Sequence, residues 1–85
     1  MRPSDEIREH VIRRHFQPAK SGGATELTIR AGDIHKELDY ANRMPAVCSV
    51  LGSNRLEREA AVTLSQRNGP HNGANALFTY LLLKN

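Results

Sequence analysis

The chain has 85 residues, enough for one domain with a single modest core and too few for a catalytic domain joined to a regulator. Its 39% hydrophobic and 25% charged residues are those of an ordinary folded domain, and no run approaches the roughly 20 apolar residues of a membrane span. A net charge of +3 with a pI near 9.5 permits binding to a polyanion without demanding it. One cysteine, Cys48, cannot form an internal disulfide, and four scattered histidines without a CxxC partner do not spell a zinc motif. No metal and no cofactor are expected. The opening MRPSDEIREH turns polar at once, without the apolar segment of a secretory signal, so the expected compartment is the cytoplasm.

In chain order, Ser4 is placed to cap a first helix, with Asp5 and Glu6 in its first turn and Arg13, Arg14 and His15 at its far end. Each charge then sits at the favourable end of the helix dipole. Ile7, Val11, Ile12 and Phe16 recur at helical spacing, which predicts about twelve helical residues and one buried stripe before Pro18. His10 and His15 are five apart and do not share a face of such a helix. QPAKSGGAT reads as a loop, because proline, paired glycine and small polar residues sustain neither period.

TELTIR alternates Leu27 and Ile29 with polar neighbours, as a short strand with one buried face does. AGDIHKEL sets Ile34 and Leu38 four apart behind Asp33, a second helix of about two turns. DYAN interrupts it, and Asn42 is placed to cap a third helix with Pro45 near its start, where proline costs least. Met44, Val47, Cys48 and Leu51 share one side of that helix, Arg43, Ala46, Ser49 and Val50 face elsewhere, and Gly52 ends or bends it. SNRLEREA either extends this helix by a turn or starts a new one. From residue 61 the period becomes alternating. AVTLSQ puts Val62 and Leu64 on one face, and ALFTYLLL puts Phe78, Tyr80 and Leu82 on one face with Leu77 and Leu81 on the other. RNGPHNGAN between them reads as the tip of a long β-hairpin.

The order helix, strand, helix, helix, strand, strand over residues 4–83 resembles a winged helix-turn-helix domain. The resemblance rests on element order and length rather than on a diagnostic motif. It implies an α+β fold of three helices and a small antiparallel sheet, one domain over 1–85, in which the strand before the second helix pairs with the hairpin. It also implies binding of double-stranded DNA by a homodimer, with the third helix in the major groove, the 66–75 hairpin tip on adjacent backbone, and a role such as transcription regulation.

Under that reading Arg43 reaches a guanine edge or a phosphate, and Asn42 donates to a phosphate besides capping. Ser49, Ser53, Asn54 and Arg55 follow along the third helix and just beyond it. The Asn-Arg pairs at 42–43 and 54–55 would clamp backbone on either side of an apolar segment, so alanine at Arg43 or Arg55 is expected to weaken binding. The wing adds Arg67, Asn68, His71 and Asn72, and Lys20, Arg13 and Arg14 form a third basic patch if the end of the first helix faces the duplex. Residues 61–85 carry two Arg or Lys and no acid, whereas 26–40 carry two against four acids.

Each of these residues also has a structural reading: Asn42 as a helix cap, Arg55 as the i,i+4 partner of Glu59, the wing residues as a solvated turn. Cys48 reads as a small buried side chain rather than a nucleophile. No carboxylate pair, Ser-His-Asp set or phosphate-binding loop points to an enzyme. Four aromatic residues, Phe16, Tyr40, Phe78 and Tyr80, three of them at core positions, do not make a base-stacking platform. The competing function is a protein-interaction or dimerisation module, which the lean third helix and the two-faced apolar run LFTYLLL would suit.

Overall fold

The first helix does not stop at Pro18. In the computed structural model, which describes residues 2–82, α1 (Pro3–Val11), a π-helical turn (Ile12–Phe16) and α2 (Gln17–Ser21) follow one another without a break. Met1 and residues 83–85, which belong to the expected 1–85 domain and include the end of ALFTYLLL, lie outside the described residues. Pro3 takes the first helical position and Arg2 the N-cap, so Ser4 lies inside the first turn instead of capping it.

Pro18 has no N–H to send back four residues, and its ring crowds the carbonyl there. The chain absorbs the misfit upstream by widening one turn: the N–H of Gln17 bonds the carbonyl of Ile12, five residues back. The extra residue changes the phase of the helix. Val11 and Phe16, five apart, are both buried, and His10 and His15 reach the same carboxylate, although an unbroken α-helix would set such a pair about 140° apart. The expectation that the two histidines point apart is therefore corrected. The helical run ends at Gly23 (φ +83°), where the N–H of Ala24 reaches the carbonyl of Ala19 (2.9 Å) and that of Gly23 reaches Lys20 (3.0 Å). Most of the 17–25 segment is thus helix and its termination rather than open loop.

Beyond it come β1 (Glu26–Arg30), α3 (Ala31–Glu37), α4 (Met44–Leu51), α5 (Asn54–Ala60), β2 (Thr63–Asn68) and β3 (Leu77–Leu81). With the first helical run counted as one, the fold is α+β with four helices and a three-stranded antiparallel sheet in the order β1-β3-β2. The expected count of three helices is corrected by α5. Ser53 starts that helix afresh, its hydroxyl oxygen accepting the N–H of Leu56 at 3.2 Å, so residues 53–60 do not prolong α4. Asp39 (φ 55°) and Asn42 (φ 57°) are left-handed turn residues between α3 and α4. Asn42 is consequently not the cap of α4; that position falls to Arg43.

The core lies between the helices and one face of the sheet. Ile7, Val11 and Phe16 from the first run, Ile34 from α3, Val47, Cys48 and Leu51 from α4, and Leu56 from α5 close over Ile29, Phe78 and Tyr80. Phe16 meets Tyr80 edge-on, ring centroids 4.9 Å apart, and the Tyr80 hydroxyl donates to the carbonyl of Leu51 at 2.6 Å. Burial, reinforced by the charge of Glu57, holds that phenol well above the usual tyrosine range, so it stays a donor to α4 at any ordinary pH. On the opposite sheet face Thr28 and Thr79 share a hydrogen bond (2.9 Å), and Leu81 is 38% exposed. Among the described residues no helix is long and apolar enough to cross a membrane.

Candidate nucleic-acid interface

Helix α4, MPAVCSVL, contains no charged residue, and its burial decides what it can offer. Val47, Cys48, Val50 and Leu51 are all buried. Val50, which the helical spacing turns away from the core side, is buried in the same core. Pro45 and Ser49 remain exposed. Cationic side chains stand at the two ends instead. Arg43 is exposed at the N-terminal end, its guanidinium 5.8 Å from the Tyr40 ring centre and its backbone N–H donated to Nε2 of His35 at 3.1 Å.

The cation at the other end comes from the hairpin. Leu64 pairs with Tyr80 and Gln66 with Thr79, so Ser65 is an extra residue in β2, a β-bulge. Without it, strict alternation would turn Arg67 to the outer face; with it, Arg67 pairs with Phe78 and faces α4. Glu57 holds the edge strand just before the bulge by accepting the N–H of Leu64 at 2.7 Å. The Arg67 guanidinium lies 4.8 Å from the centre of the Phe78 ring, and its Nη2 donates to the carbonyl of His71 at 2.7 Å. It also abuts the end of α4, where a Cβ added to Gly52 would come within 3.0 Å of Nη1.

A cleft therefore runs between α4 and the hairpin, lined by Pro45, Cys48, Ser49, Gly52, Arg67, His71 and Asn72. Among the described residues no acidic side chain lines it. Four residues singled out in the sequence, Ser49, Arg67, His71 and Asn72, meet here. Cys48 is fully buried beneath the cleft, and burial pushes its thiol up, with the Arg67 charge opposing.

The other candidates lie elsewhere. Asn42 and Arg43 stay exposed at the entrance to α4, and Asn68 ends β2 opposite Leu77, on the outer sheet face. The Ser53 hydroxyl is engaged in capping and donates to the carbonyl of Val50 (2.8 Å). Asn54 and Arg55 turn away into α5, and Arg55 bonds Glu59 at 2.8 Å in a second cleft shared with Asp5, Arg8, Glu9 and Arg13. The hydrogen bond to Glu59 raises the arginine pKa and lowers that of its partner, as expected of a pair. Lys20 donates to the carbonyls of Ala60 and Ala61 (3.1 Å to the latter), closing the C-terminal end of α5. It does not join Arg13 and Arg14 in a free basic patch.

Arg30 and Gly32, which position the hairpin, carry no signal in the sequence. Arg30 links Asn75 Oδ1 (2.9 Å) to Asp33 Oδ1 (2.8 Å), and the N–H of Gly32 donates to the carbonyl of Ala74 at 2.9 Å, fixing the returning limb against α3. The outgoing limb depends on Gly69, at φ +87°, where an added Cβ would lie 2.6 Å from the Asn75 carbonyl oxygen. Gly69→Ala is expected to cost about 1–3 kcal/mol, read as a lowered thermal midpoint, with faster amide exchange confined to the hairpin. No protein-family model matches the chain, and the searches of curated proteins and of solved structures return no match.

Proposed function

We propose that the chain is a winged helix-turn-helix domain that binds double-stranded DNA through α4 and the hairpin tip, holding phosphates more than it reads bases. The observation that carries this reading is the cleft between α4 and the hairpin, lined by no acidic side chain among the described residues, with a guanidinium at each end of the helix. An eight-residue helix spans about 12 Å, close to the width of the major groove, so Arg43 and Arg67 suit the phosphates along its two edges. His71, Asn72 and Asn68 supply further donors for the backbone. The element order supports the same reading, with α5 as an addition between the third helix and the hairpin.

The lean surface of α4 bears on specificity. Discrimination of a base pair by a bidentate side chain is worth about 1–3 kcal/mol, and on α4 only Ser49 is an exposed polar residue. Sequence preference is accordingly weak for one copy. Two guanidiniums also give one copy modest affinity, so tight binding calls for a homodimer on paired half-sites, as in control of transcription.

A second reading draws on the same helix: the exposed face of α4 bears no charge, which also suits contact with a protein. Alanine substitutions separate the two. Arg43→Ala is expected to weaken duplex binding about tenfold, while Arg55→Ala, whose side chain is held by Glu59, stays within about twofold of the parent. Equal losses in both variants would mean that the cleft is not the contact surface. Duplex binding unchanged by Arg43→Ala would remove α4 from the interface.

A further inference from the structure

The π-helical turn assembles a group of side chains far from the hairpin. Nε2 of His10 lies 2.7 Å and Nε2 of His15 2.8 Å from the same Oε1 of Glu37, the last residue of α3. The three donor atoms all lie within 4.8 Å of one another, and the two rings stand edge to face with centroids 5.8 Å apart. Among the described residues this is the one cluster of histidine, cysteine and carboxylate groups with such convergence. It is reachable from solvent, since the side chains of His10, His15 and Glu37 are 17%, 24% and 40% exposed and line an open cleft with Arg14.

We propose that His10, His15 and Glu37 form a zinc site that ties the first helical run to α3. Two imidazole nitrogens and one carboxylate oxygen are a donor set that zinc accepts, with water completing a tetrahedron on the open side. Zinc ligands at about 2.0–2.1 Å from the metal stand roughly 3.3 Å from one another, so the present N···O separations open by about half an ångström while the two nitrogens, within 4.8 Å of each other, close toward the same spacing. The rings already converge, and zinc takes each imidazole in its neutral form, bound through Nε2 with the ring proton on Nδ1. Arg14 is the cation lining this cleft and opposes the ion; the adjoining cleft, past His10, brings Glu6 and Glu9 along with Arg13.

The i,i+5 spacing is what hides such a site. On a regular α-helix only i,i+3 and i,i+4 pairs face each other, and only the widened turn ahead of Pro18 makes five residues equivalent to one turn. The inference is independent of DNA binding, because none of the three residues lines the cleft between α4 and the hairpin.

Calorimetric titration of the full chain with zinc chloride tests it. One saturable ion per chain is expected, with affinity reduced at least about tenfold in His10→Ala, in His15→Ala and in Glu37→Gln, since changes in the second shell alone reach that size. His71→Ala, which alters a histidine remote from the cluster, should bind as the parent does. No saturable uptake by the parent chain would overturn the site, as would affinity equal to the parent's in His10→Ala and His15→Ala. Far-ultraviolet circular dichroism identifies any variant that fails to fold, and the parent titration stands without them.

Discussion

Truncating Phe16 to alanine is expected to lower the thermal midpoint by at least about 12 °C, followed by circular dichroism. Phe16 is 1% exposed and closes the π-helical turn, and its ring meets Tyr80 edge-on at 4.9 Å. Tyr80 in turn holds the last carbonyl of α4 through its hydroxyl. Loss of a buried phenylalanine costs about 3–5 kcal/mol, the transfer of the ring plus the cavity it leaves. For a domain of this size each kcal/mol moves the midpoint by roughly 4–8 °C, which sets the lower bound. Native stability is itself on the order of 5–15 kcal/mol, so the variant keeps little reserve. A shift below about 4 °C would mean that the helical run beyond the widened turn contributes little to the core.

Reversing the charge at Arg67 is expected to reduce duplex affinity by about 100-fold, the largest loss among the cleft residues. The neutral variant Arg67→Ala should lose about tenfold and flatten the salt dependence by about one unit of slope, the loss of one phosphate contact. Glutamate adds repulsion from phosphate within a cleft that otherwise lacks acids among the described residues. Because Arg67 also braces the hairpin, through the His71 carbonyl and the Phe78 ring, thermal melts of both variants must accompany the binding data. Equal melting with unequal binding assigns the effect to charge. Unchanged affinity in both variants would make Arg67 a brace only and would shift the weight of the argument to a protein partner.

How much of this was legible in the residues depends on what each signal encodes. Alternation placed Phe78, Tyr80 and Leu82 on the buried face, and all three are buried. The glycine- and asparagine-rich stretch between the last two strands is the hairpin tip. Hydrophobic spacing also found the interior side of α4 apart from Val50, which is buried as well, and it left open whether SNRLEREA prolongs α4 or forms α5. Its cap, Ser53, follows Gly52 so closely that the text permits either one bent helix or two; the hydrogen bond to Leu56 chooses two.

Phase errors account for the rest. Helical periodicity alone makes Pro18 a stop, whereas a proline crowding the preceding turn can be accommodated by one wider turn, and the resulting phase shift joins His10 to His15. Ser65 does the same to a strand: one additional residue turns Arg67 from the outer face to the cleft. Both devices add a single residue to a regular period, and a period count presumes that none is added. The second Asn-Arg pair, expected to bracket α4, gives way to Arg67 for this reason, while Arg55 settles on Glu59.

The most direct measurement is fluorescence anisotropy of a labelled mixed-sequence duplex titrated with the full chain across a range of salt concentrations. Saturable binding at low salt, with affinity falling as salt rises at a slope of roughly −2 to −4 per copy, is the expected result and fits two to four phosphates neutralised. Absence of binding at low salt would contradict the DNA reading outright and leave the uncharged face of α4 as a surface for another protein.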